Sequence, residues 1–112
     1  MQNLIGKYVR ITKLESLNEK SAQNSHTKSL AGESWWAEGF VEYFGDFIQL
    51  LRIRNYNNPE GCLGFFYTSK IEKVERQENN GQNFLTLTTQ NSRYKVEEVE
   101  EFKIKYEVVK EN

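Results

Sequence analysis

One cysteine, one histidine, one proline and one methionine in 112 residues leave little material for several kinds of chemistry. With Cys62 alone, neither an intrachain disulfide nor a multi-cysteine metal site can be built, which fits a reducing compartment. His26 has no second imidazole with which to share a metal and no evident Cys or Ser to activate, so it reads as a solvated loop side chain. No stretch approaches the roughly 18 apolar residues of a membrane span. Met1 to Lys7 lacks an apolar run of signal-peptide length, and Asn-x-Ser/Thr acceptors are absent, so a cytoplasmic protein without membrane association is expected.

Charge of one sign is also lacking. Fifteen basic residues face sixteen acidic ones for a net charge of −1, a balance that argues against bulk attraction to nucleic acid or anionic lipid. No glycine-rich phosphate loop precedes a helical pattern, because the segment between Gly39 and Gly45 alternates as a strand. Glu38 and Glu42 are the only candidates for a carboxylate pair, and surface positions facing Lys neighbours explain them more simply than acid/base work, while Arg52 and Arg54 read as solvent-facing side chains pairing with Glu38 or Glu42 across a hairpin. The acidic run Glu97 to Glu101 lacks the carbonyls and turns of a hard-cation loop and reads as a solvated edge. No catalytic residue, metal ligand or cofactor is assigned, and a non-enzymatic protein is expected.

Aromatic side chains are what the chain has in quantity. Seven Phe, six Tyr and two Trp in a chain only 38% hydrophobic concentrate apolar area in few residues, as small barrels do. The length fits a single domain over residues 1–112.

Alternation orders the elements. Ile5 to Leu14 reads as a first strand, and the Ser-rich stretch 15–34 as a long polar loop. Trp35 to Phe44 and Phe47 to Arg54 form a hairpin turning at Gly45-Asp46. Strict alternation puts Trp36, Glu38 and Phe40 opposite Trp35, Ala37, Gly39, Val41 and Tyr43, and puts Arg52 and Arg54 on one face. The Asn55 to Gly61 cluster is a turn, and Leu63 to Tyr67 a further strand. Ser69 stands three residues before Glu72, a capping-box spacing that predicts one helical or 3₁₀ turn. Asn80-Gly81 is the strongest hairpin signal, between a strand ending near Glu78 and the Phe84 to Thr89 strand; Arg93 to Glu97 follows. Phe102 to Val108 alternates too and reads as an edge strand able to pair with a second subunit. The sum is an all-β fold of seven to eight short strands, a barrel or a compact sandwich.

The order of first strand, long loop, Trp35-Trp36 strand, hairpin, strand, single helical turn and last strand resembles the SH3-like barrel. By that resemblance Trp35 or Trp36 would stack on a ligand. The aromatic first-loop motif and the Pro-Ser-Asn-Tyr segment of peptide-binding SH3 domains have no counterpart, so the fold is carried over and not the proline-rich specificity. A second likeness, in Thr68-Ser69-x-Ile71 and Thr89-x-Asn91-Ser92-x-Tyr94, is to short uncharacterised proteins of phages and mobile elements; it implies a small inhibitor or accessory protein. Hairpin-turn residues and a core Tyr account for the same positions.

Adjacent side chains of a strand leave on opposite faces, so one of Trp35 and Trp36 enters the core and the other joins a surface patch. Trp35, Trp36, Tyr43, Arg52, Arg54 and Tyr56 are accordingly the candidate binding residues, with a protein as the expected partner. Two alternatives stay open. Arg52 and Arg54 with the rings would suit a small anionic ligand or nucleotide, and the C-terminal strand would suit a structural homo-oligomer.

Overall fold

The structure, a computed structural model, describes residues 4–17 and 35–103. Among the described residues there are seven strands: β1 (Tyr8–Ser16), β2 (Trp36–Phe44), β3 (Ile48–Asn55), β4 (Gly64–Tyr67), β5 (Ile71–Asn79), β6 (Gln82–Thr89) and β7 (Ser92–Glu98). All pair antiparallel in one sheet of order β4-β3-β2-β1-β7-β6-β5. β1 is central and joins two three-stranded halves.

The sheet is curled. β4 and β7 lie four strand spacings apart in order, about 19 Å in a flat sheet. Their inward rings nevertheless meet, with the centroids of Phe66 and Tyr94 6.2 Å apart and Trp35 against both. The two edge strands, β4 and β5, are connected by only Thr68-Ser69-Lys70, and Tyr67 to Ile71 can span no more than about 14 Å. The concave face thus closes on a core of Val9, Ile11, Trp35, Ala37, Val41, Ile48, Leu50, Leu85, Leu87, Tyr94 and Val96, with Phe66 and Tyr56 packed against it.

Hairpin chemistry follows the residues. Asn80 and Gly81 have φ of 54° and 80°, the left-handed pair that a two-residue turn of this hand requires. Thr89 Oγ1 donates to the Ser92 carbonyl and accepts from the Asn91 and Ser92 amides, closing the β6–β7 turn. The Thr89, Asn91, Ser92 and Tyr94 pattern therefore has turn and core roles here.

Several expectations need correction. β1 starts at Tyr8, after a turn at Ile5-Gly6, and runs through Glu15 and Ser16, so the polar loop does not begin at 15; residues 18–34 lie outside the described ones. The turn expected at Ser69 is a bend, and among the described residues there is no helix. Its backbone is recruited elsewhere: the Thr68 and Ile71 amides donate to the Ile48 and Asp46 carbonyls, and Thr68 Oγ1 accepts from the Ile48 amide. Of the proposed C-terminal strand 102–108, Phe102 and Lys103 are not in a strand and 104–108 lie outside the described residues.

Four one-residue bulges, at Leu14, Glu42, Ile53 and Glu72, interrupt the ladders. Each shifts the side-chain phase downstream by one. The two in the β2–β3 hairpin decide which residues share the outer face.

Candidate protein-binding face

The six residues singled out in the sequence do not form one patch. Trp35, 3% exposed, is core, lying against Phe66, Tyr56 and Tyr94. Tyr56 packs on the same core. Trp36 is the outer ring of the pair. The bulge at Glu42 turns Tyr43 to the outer face, where it stacks on Phe47 at 4.6 Å and donates to Asp46 at 2.8 Å. The bulge at Ile53 separates the two arginines: Arg52 faces inward between Gly39 and Gly64, and Arg54 faces outward against Glu38.

Gly64 makes room for the Arg52 side chain, and Gly39 for the β3 backbone. A Cβ on Gly64 would stand 2.6 Å from Arg52 Nη2, and one on Gly39 would strike the Leu51 carbonyl. Arg52 Nε donates to the Cys62 carbonyl at 3.2 Å, and Nη2 lies 3.6 Å from Cys62 Sγ. Lys13, also inward, is fully buried, and burial pulls its pKa down.

On the outer face the register lines residues into cross-strand rows. One row reads Glu97, Arg10, Glu38, Arg54 across β7, β1, β2 and β3, alternating in sign. Glu38 is its hub, 1% exposed. Its Oε1 accepts from Tyr8 Oη at 3.0 Å and Arg54 Nε at 2.9 Å. Its Oε2 accepts from Arg10 Nε at 2.7 Å and Arg54 Nη2 at 3.3 Å. Burial alone would push the Glu38 pKa up, but the hydrogen bonds from Arg54, Arg10 and Tyr8 prevail and hold it below the usual carboxylate range. The Tyr8 phenol is pushed up to about 12, by burial first and then by its bond to the Glu38 carboxylate.

Rings lie against the two arginines of this row. Arg10 and Arg54 lie over Trp36, 4.2 and 5.3 Å from its centroid, and Arg54 also lies over the Phe102 ring at 4.2 Å. The chain after β7 reaches that position by crossing the outer face, with the Val99 amide on the Tyr8 carbonyl. The charged part of the predicted patch is thus internally satisfied.

The next row, Tyr8, Phe40, Leu51 and Phe65, is apolar and ends on edge strand β4. There the outward side chains Leu63, Phe65 and Tyr67 are 66%, 58% and 61% exposed. Nothing in the run Gly61 to Ser69 is charged. Edge strands ordinarily carry charges, prolines or bulges that discourage pairing, and β4 has none of these along its length. The other edge strand supplies the contrast. β5 reads Ile-Glu-Lys-Val-Glu-Arg-Gln-Glu-Asn, with a bulge at Glu72. Leu63, Phe65 and Tyr67 were missed because a single short strand gives no reason to look beyond alternation; the uncharged run is the signal that marks them.

The chain matches no protein-family model, no curated protein and no solved structure. Among the described residues no helix is long and apolar enough to cross a membrane, and no group of His, Cys, Asp or Glu side chains gathers as metal ligands.

Proposed function

We propose that this is a non-enzymatic protein-binding module, of the kind that serves as a small inhibitor or accessory protein, which engages an extended segment of its partner along β4. The carrying observation is the asymmetry of the two edges, one charged and bulged, the other uncharged with three large side chains in solvent. Strand addition would draw affinity from main-chain hydrogen bonds, and the Leu63, Phe65 and Tyr67 side chains would set specificity. Tyr43 and Leu51 extend the face inward from the edge. A small anionic ligand is less well served, because Arg54 is already met by Glu38 and Arg52 by the Cys62 carbonyl.

The test is amide-resolved NMR with a panel of neutral peptides of alternating Val and Thr. Chemical-shift changes centred on residues 62–68, lost in Tyr67→Lys, are expected. Changes centred on Trp36 and Arg54, or none with any peptide, would overturn the reading.

A further inference from the structure

We infer that the occupant of the β4 edge is a second copy of this chain, paired antiparallel about a twofold axis through Phe65; this rests on reading β4 as the binding edge.

Backbone parity comes first. The Thr68 amide bonds the Ile48 carbonyl and the Cys62 amide bonds the Ile53 carbonyl, so even-numbered residues here turn their backbone groups toward β3. Leu63, Phe65 and Tyr67 therefore direct theirs to the open edge. The residues that offer main-chain donors and acceptors to a partner strand are the same ones whose side chains are exposed.

Self-complementarity selects the partner. With Phe65 facing its own copy, Leu63 faces Tyr67 of the second copy and Tyr67 faces Leu63, so every outward pair is apolar. The match stays within residues 63–67, since Glu60 lies in a turn and Ser69 in a bend. Moving the axis to Leu63 would leave Tyr67 without a matching side chain of the run, and moving it to Tyr67 would leave Leu63 without one. An isologous contact requires this kind of self-matching surface. Three side chains, each more than half exposed, can bury at most on the order of 800 Å² over both copies, below the roughly 1,000 Å² of a stable interface, so the contact is a weak one. A reversible, concentration-dependent dimer is the outcome to expect.

Sedimentation velocity from micromolar to near-millimolar concentration tests it. The wild-type chain should move from monomer to dimer across that range. Phe65→Arg, a change at an exposed position that circular dichroism should show to be folded, should weaken association at least tenfold. In a Cys62→Ser background, Phe65→Cys should form a disulfide dimer on mild oxidation, because a hydrogen-bonded antiparallel pair holds Cα atoms about 5.5 Å apart. Val74→Cys on the charged edge should not. A monomer at all concentrations, or a dimer indifferent to Phe65→Arg, would overturn the inference. If such a monomer still showed peptide-induced shifts along β4, the binding edge would stand and only its occupant would be wrong; a monomer without them would remove both.

Discussion

Glu38 shows how a residue that looks dispensable in sequence can hold a face together. A buried carboxylate is tolerated because two guanidinium groups and a phenol supply its hydrogen bonds. Removing it leaves Arg10 and Arg54 facing each other under Trp36 and Phe102. Glu38→Ala should therefore cost about 3–5 kcal/mol, the range for breaking a buried ion pair on one side, read by urea denaturation. The pH dependence has a definite sign. The folded pKa lies below the unfolded value near 4.3. The stabilisation is complete above that value and fades as pH falls through the folded one, so Glu38→Gln should flatten the acid limb of stability against pH. Tyr8 acts at the other limb. Its folded pKa of about 12 exceeds the unfolded value near 10, so stability is complete below about 10 and declines as pH rises toward 12. Tyr8→Phe should reduce that decline without abolishing it, because burial also raises the Tyr94 phenol.

At the scale of elements, the strands were legible and their faces were not. Alternation and turn chemistry located every strand but β5 within a few residues, and the Asn80-Gly81 turn adopts the backbone its sequence demands; of β5 only the end near Glu78 was read, its start at Ile71 being assigned to a helical turn. Period-2 reasoning fails at a bulge, because one inserted residue exchanges the two faces from that point on. The bulges at Glu42 and Ile53 did this to Tyr43 and Arg54, and no local signal in Phe40 to Tyr43 or Leu51 to Asn55 marks them. The expected Arg54–Glu38 pairing across the hairpin is present, although as a buried hub and not a solvated pair. The glycines beside Arg52 carry a prediction at this scale. Gly39→Ala meets rigid backbone at Leu51 and should cost about 1–3 kcal/mol as an overpacking change. Gly64→Ala meets the movable tip of Arg52 and should cost less. Paired chemical-denaturation curves followed by Trp fluorescence would check the order; equal costs would mean that Arg52 is as immovable as the backbone.

The molecule as a whole is two three-stranded halves on either side of β1, and its cooperativity depends on how firmly they are joined. β1 bonds β2 on one side and β7 on the other, and the curl adds a second connection where Trp35 and Phe66 of one half meet Tyr94 of the other. Ile11 sits at the middle of that central strand, facing Ala37 and Val96 in register and fully buried. Ile11→Ala should cost about 2–5 kcal/mol for the lost methyl groups and the cavity they leave. More telling is the form of the transition. Both tryptophans belong to the β2 half, whereas far-ultraviolet circular dichroism reports the β5 to β7 strands as well. If β1 and the ring cluster make the halves one unit, fluorescence and circular dichroism should give coincident curves for the wild-type chain and for Ile11→Ala, shifted together. Separation of the curves in the variant alone would mean that β1 is the only effective join, and that the contacts of Trp35 and Phe66 with Tyr94 curl the sheet without coupling its halves.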